Sequence, residues 1–367
     1  MEGGGSAINA SSATARRTAV AIVRRGASGQ YPLGDDTNQM LREDTMRRTI
    51  LAALAVLIAG ASPVLAADKL KVAIPQKGFW DSSWVEFGEA AGFFKDAGLE
   101  IEAFYTEGGA QTIATVASGS VDIAMSNGIA GAIGAYVKGG DATPYRVIGA
   151  EMTGAHELFW WVKADSPIKS LKDADGKTIA FSSPGSSSNL ILLTLLKQYG
   201  SKAKPTPTGG VPGTYTQTMT GQIDIGWSVV PFALKDIQEG KARIIARASE
   251  AKDLQNQTIR ANLANVNSLK TKRELITKYM QVIQKSIDWA YGPGNAKAIE
   301  IFAKNMKVTP EIAKKAVEEF YPKSAMQIGE IKDLDRSLQD ALDYKFISSP
   351  KTAKDVAGLF DIVYKPK

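Results

Sequence analysis

The sequence contains no cysteine and a single histidine, His156. The first absence removes disulfide frameworks, thiolate nucleophiles and cysteine-ligated metals from consideration. The second leaves one imidazole for acid–base work. No Ser-His-Asp spacing, metal-ligand cluster or glycine-rich phosphate loop accompanies it, so neither enzyme activity nor a cofactor or metal is expected. Charge of one sign is also scarce: 44 Lys+Arg stand against 38 Asp+Glu, a net +6. No basic cluster interleaved with aromatics points to nucleic acid. No apolar run approaches the ~20 residues of a membrane span, and the mature chain is expected to be soluble.

What is present begins well inside the chain. Met46-Arg-Arg, an apolar run from Ile50 to Gly60 and Ala61-Ser-Pro-Val-Leu-Ala-Ala67 follow the order of a secretory signal: basic region, hydrophobic region, small-residue cleavage site. Segment 46–67 is therefore expected to be removed on export to a periplasm. Residues 1–45, rich in Gly, Ser, Ala and Arg without apolar periodicity, read as a mis-called start ahead of Met46 or as a disordered extension. About 300 residues remain, enough for two domains with their own cores.

Two near-identical phrases organise that remainder, Gly119-Ser-Val-Asp-Ile-Ala-Met-Ser126 and Gly221-Gln-Ile-Asp-Ile-Gly-Trp-Ser228. Each reads as a helix stop followed at once by a short buried strand, and each follows a helical stretch, 110–118 or 214–220. The same unit in two α/β lobes predicts one cleft, because open parallel sheets bind ligands beyond the carboxyl ends of their strands. Ser126 and Ser228 are expected to meet there. Periodicity places further strands at 70–74, 99–105, 145–150, 157–162, 177–181 and 243–247, and helices at 84–94, 128–138 and 190–199. Beyond residue 270 the chain reads as helical. Leu275, Tyr279, Val282, Ile283 and Ile287 form one apolar stripe, and Thr309-Pro310-Glu311 is a helix start. These helices are expected to pack back on the first lobe.

Several stretches carry a family resemblance: Ile74-Pro-Gln-Lys77, Gly108-Gly-Ala-Gln111, Val121-Asp-Ile-Ala-Met-Ser-Asn127, Asp165-Ser-Pro-Ile-Lys-Ser-Leu-Lys-Asp173, Gly176-Lys-Thr-Ile-Ala-Phe181, and Ile223-Asp-Ile-Gly-Trp227 with Pro231. Through them the mature chain resembles the periplasmic substrate-binding proteins of nitrate/sulfonate/taurine-type ABC transporters, a group similar to thiamine-precursor-synthase-like binding proteins. The resemblance implies an α/β, two-lobed class II periplasmic-binding-protein fold, each lobe a mostly parallel sheet flanked by helices, with a ligand clamped at the hinge. Lobe 1 is expected to comprise 68–154 plus 257–367, and lobe 2 to comprise 155–256. It implies a monomer that captures a small organic anion and delivers it to the permease subunits of an importer. Binding or synthesis of a thiamine-precursor pyrimidine, and a ligand-sensing module, are the alternatives.

The residues point to particular contacts. Ser183, Ser186 and Ser187 set hydroxyls and free N–H groups at a helix start, which holds an anion without a cation; an ordinary N-cap is the plainer reading. Gly109 permits close backbone approach at another helix start, with Gln111 beside it and Gln76 at the exit of the first strand. Ser126 and Asn127 are expected to bond polar edges of the ligand, and Trp80 and Trp227 to pack on its body. Trp84 and at least one of Trp160 and Trp161 read as core. Around these loops there is no arginine and Lys77 is the only cation, which favours an acid with an apolar or aromatic body over a compact hydrated anion. His156 reads as a hinge, ligand or surface residue. N-terminal sequencing of the exported protein is expected to start at Ala67 or Asp68; a mature form that keeps residues 1–45 contradicts the signal assignment.

Overall fold

The computed structural model describes residues 68–366. The expected extension 1–45 and signal segment 46–67 lie outside the described residues. The strands are β1 (Asp68–Pro75), β2 (Leu99–Thr106), β3 (Ile123–Gly128), β4 (Tyr145–Thr153), β5 (Leu158–Lys163), β6 (Thr178–Phe181), β7 (Lys204–Pro207), β8 (Gly226–Val229), β9 (Ala242–Arg247), β10 (Thr258–Asn265) and β11 (Met326–Gly329). One six-stranded sheet runs β11-β4-β10-β3-β1-β2, a three-stranded sheet runs β8-β5-β9, and β6 pairs with β7. A parallel bridge between Ile179 and Ile225 joins β6 to the approach of β8.

Side-chain alternation explains how the large sheet is covered on both faces. Along β1, Leu70, Val72 and Ile74 enter one apolar cluster while Ala73 enters the other. The Ala73 face is closed by Val116, Ile133 and Leu338, from the helices Gly109–Ala117, Ile129–Gly139 and Leu334–Asp343. The opposite face carries the helices Trp84–Ala90 and Arg273–Ala290, which touch each other. Of the sequence stripe, Tyr279, Val282, Ile283 and Ile287 are buried there and Leu275 is half-buried.

The class is α/β with helix-flanked sheets, but the pairing is mixed rather than mostly parallel. β1 pairs parallel with β2 and β3. β10 enters antiparallel between β3 and β4, and β5 pairs antiparallel with both β8 and β9. The reason is that the chain crosses between the sheets and returns, at 154–157 and 248–257, so the returning strands run the other way. The predicted helix 84–94 is also broken. Gly92 sits at φ +78° between Trp84–Ala90 and Phe93–Asp96, a left-handed conformation that glycine adopts without steric cost.

The repeated phrases fold as the same unit. Gly119 and Gly221 have φ of +76° and +80°, and each ends its helix. The aspartates then reach sideways: Asp122 Oδ2 accepts the Lys71 N–H at 2.9 Å and Asp224 Oδ2 accepts the Thr178 N–H at 2.8 Å. Asp122 also accepts from Ser268 Oγ at 2.7 Å and from Lys272 Nζ at 2.9 Å. Burial raises its pKa, but these bonds outweigh it and hold the group below the ordinary value. Asp122→Ala is expected to cost about 1–3 kcal/mol, the range for leaving a buried donor unpaired. Because the folded pKa is depressed, that contribution exists above the unfolded pKa and disappears as pH falls through the folded one, below about pH 4. Urea unfolding at pH 7 and pH 3 should show a smaller deficit at pH 3 than at pH 7.

Candidate functional site

β1, β3 and β6 end at one small cavity of about 40 Å³, lined by Gln76, Ser126 and Ser182 at or just beyond those strands and by Trp227 within β8. Gly108 and Gly109 contribute the start of Gly109–Ala117, and Ser186, Ser187 and Ser188 the start of Ser187–Tyr199. Ser186 caps the latter helix by accepting the Asn189 N–H at 3.2 Å, and Ser188 Oγ accepts the Ser182 N–H at 3.0 Å. The first N–H groups of a helix have no partner within it and carry its positive end. The serine loop is held here by a close backbone approach: a Cβ on Gly131 would meet Gly185 O at 2.5 Å.

The electrostatics differ from the sequence expectation of Lys77 as the only cation. Arg260, on β10, lines the cavity. Its side chain is only 8% exposed and pairs through two nitrogens with Asp81 and Glu157, while Nε donates to Ser187 Oγ at 2.9 Å. These contacts span 179, 103 and 73 residues of sequence, which is why inspection of the loops misses them. Burial pushes the Asp81 carboxyl up, against the pull of Arg260. Behind this group Glu151 is fully buried, with Oε2 accepting the Ser126 N–H at 2.8 Å. Burial, reinforced by the Asp81 charge, raises it to about 8.

Of the residues singled out from sequence, Gln76, Gly109, Ser126, Ser186, Ser187 and Trp227 come together around this cavity. The others do not line it. Trp80 is fully buried against Trp84, Phe87, Tyr291 and Phe302, with Nε1 donating to Tyr291 Oη at 2.8 Å; its ring belongs to the core. Asn127 donates to the Ala124 and Met125 carbonyls and so braces its own turn. Gln111 is exposed and accepts the Glu107 N–H at 2.8 Å. Ser183 stands at the rim, where Oγ accepts the Ala110 N–H at 3.4 Å. Ser228 is buried but leaves the lining to its neighbour Trp227. His156 lies in the 154–157 crossing, half-buried, with its pKa lowered by burial. Ser182 and Ser188, the ends of the serine loop, also line it, as do Asp81, Ser82 and Arg260, which were not anticipated as contacts. A signal for one existed, an aspartate directly after Trp80 at a strand exit.

Glu151 makes the site's stability depend on pH. Its carboxyl is protonated in both states below pH 4.5, whereas between 4.5 and about 8 only the unfolded chain ionises. Stability therefore falls with rising pH across that window, by about 1.4 kcal/mol per unit at most. Glu151→Gln keeps an acceptor for Ser126 and cannot ionise. Its thermal midpoint should match wild type near pH 4.5 and exceed it at pH 8; parallel pH profiles would refute the assignment.

Among curated proteins no match is found. The periplasmic aliphatic sulphonate binding protein SsuA from Escherichia coli superposes with a TM-score of 0.62 at 18% identity, covering 82% of this chain and 93% of its own. The periplasmic nitrate-binding protein NrtA from Synechocystis PCC 6803 gives 0.61 at 10% identity, with coverages of 80% and 85%. The desulfurization enzyme DSZB gives 0.53 at 15% identity, with 77% and 94%. At these identities the likeness is one of fold, the periplasmic-binding-protein fold. The family model described as NMT1/THI5 like matches residues 86–296, more than half of the sequence, and the chain belongs to that family.

Proposed function

We propose that this protein is the periplasmic solute-binding component of an ABC importer, capturing a small organic acid between two lobes and passing it to the membrane permease as a monomer. The observation that carries the reading is the cavity itself, walled by strand ends from the large and the small sheets and floored by two helix starts. The lobes are 68–154 plus 257–367 and 155–256. In support, β5 to β9 all fall within the second span and β1 to β4, β10 and β11 within the first. Solvation favours a sulfonate or carboxylate over nitrate. Arg260 is already matched by two carboxylates, so an anion entering the inner cavity gains helix-start N–H groups but no unmatched cation there. An apolar or aromatic body fits against Tyr105, Val211 and Phe232 in the wider mouth of about 370 Å³, which shares Gln76 and Phe79 with the inner cavity and also carries Lys77 and Lys307. His156 lies outside the lining, which speaks for binding rather than acid–base turnover. A thiamine-type pyrimidine is the competing ligand.

A thermal-shift screen of alkyl and aryl sulfonates, carboxylates, nitrate and aminopyrimidines tests this. A ligand that binds only the folded state adds about 2.7 kcal/mol at a hundredfold excess over Kd. Organic acids should raise the midpoint and nitrate should not. Saturation with the best acid should reduce the radius of gyration in solution scattering, through closure about 154–157 and 248–257. Response to nitrate alone, or an unchanged envelope, would sink the reading.

A further inference from the structure

Two buried polar atoms of the cavity lining have no hydrogen-bond partner among the described residues: Asp81 Oδ1 and Trp227 Nε1. One is an acceptor and the other a donor. Asp81 and Trp227 are only 1% and 2% exposed, so bulk water does not freely satisfy either atom, and groups of this kind are normally paired. Arg260 and several other polar side chains of the lining are committed. Arg260 spends Nε on Ser187 and its other two nitrogens on Asp81 and Glu157. Asp81 Oδ2 also receives Ser126 Oγ at 3.4 Å, and Ser82 Oγ donates to Pro75 O at 2.7 Å.

We infer that Asp81 is the specificity-determining residue of the cavity: its free carboxylate oxygen receives an N–H or O–H carried by the ligand beside its acidic group, while Trp227 Nε1 and the helix starts take the acid's oxygens. The ligand class is then an amino-, amido- or hydroxy-acid. An acid without such a donor brings only lone pairs to Asp81 Oδ1, and leaves that buried acceptor unpaired when it excludes water. The inference rests on the organic-acid reading above and narrows it.

Calorimetric titration of the mature protein with matched acids tests it. The probes are hexanoate, 2-hydroxyhexanoate and 2-aminohexanoate, and benzoate, 3-hydroxybenzoate and 3-aminobenzoate, with hexylammonium as the acid-free control. In each series the best donor-bearing acid should bind roughly tenfold or more tightly than its parent. Asp81→Asn presents an amide in place of the free oxygen and should abolish that preference, in a variant whose circular dichroism matches wild type. Trp227→Phe should weaken all the acids together and leave the preference intact. The wild-type ranking decides the matter even if Asp81→Asn does not fold. Parent acids that bind as tightly as their donor-bearing partners overturn the inference and leave the importer reading standing. Hexylammonium matching 2-aminohexanoate overturns the inference, and so does no binding across the panel, while the sulfonate arm of the importer reading then stands or falls by the thermal-shift screen.

Discussion

A guanidinium can be buried only if its charge and its donors are matched, and in this chain that requirement falls on Arg260. Its partners come from the turn after β1, from the crossing that leads into β5, and from the first turn of Ser187–Tyr199. One side chain therefore fixes three segments that meet nowhere else in sequence. Loss of one partner from such a buried group typically costs about 3–5 kcal/mol, because the remaining charge is stranded. The same demand explains the neighbouring carboxylates. With Glu157 and Asp81 already facing the cation, a further ionised group at Glu151 would be unmatched, and burial keeps it protonated up to about pH 8.

Around this centre the backbone is built twice. Thr106 and Thr112 join their hydroxyls at 2.6 Å, and Thr208 and Thr214 do so at the same distance. Thr112 Oγ1 donates to Gly108 O at 2.9 Å and Thr214 Oγ1 to Gly210 O at 3.0 Å. Each pair ties a strand exit to the first turn of the following helix. Asp122 and Asp224 then anchor the next strand of each unit to its neighbour. The duplicated phrases thus record a duplicated mechanical problem: turning from strand to helix without leaving polar groups unpaired. The cavity nevertheless uses the two units at different positions, Ser126 from one and Trp227, the counterpart of Met125, from the other.

Such local devices are what a sequence displays. The helix stops at Gly119 and Gly221, the Ser186 cap and the Thr309 cap, whose Oγ1 accepts the Ile312 N–H at 3.4 Å, all lie within a few residues of their partners. β10 was not legible. It is buried at every position, so no alternation marks it, and Thr-Ile-Arg-Ala-Asn-Leu-Ala-Asn carries an arginine and two asparagines that speak against a strand. Missing β10 meant missing Arg260. β7 was hidden by its two prolines, tolerated because it pairs only with β6. Trp80 failed for the opposite reason. It follows a strand exit as a ligand contact would, but helices more than 200 residues away cover it, with Tyr291 as its hydrogen-bond partner.

The boundary between the inner cavity and its mouth sharpens what the fold asks of a ligand. Gln76 and Phe79 line both spaces. Gln76 adopts φ +55°, a conformation that costs a side-chain-bearing residue about a kcal/mol or more. The strain is tolerated where surrounding contacts hold it, and here Oε1 accepts the Val211 N–H at 3.3 Å, at the start of the helix Val211–Met219. That bond joins the exit of β1 to a helix start on the small-sheet side. Inside Gln76 the lining is mainly serine, aspartate and arginine; outside it, Tyr105, Val211, Pro212, Phe232 and Met306 stand beside Lys77, Glu107, Asn305 and Lys307. Under the importer reading, a wholly apolar solute would leave Asp81 and Trp227 unpaired, whereas an apolar body could lie against Tyr105, Val211 and Phe232 once a polar end enters the inner cavity.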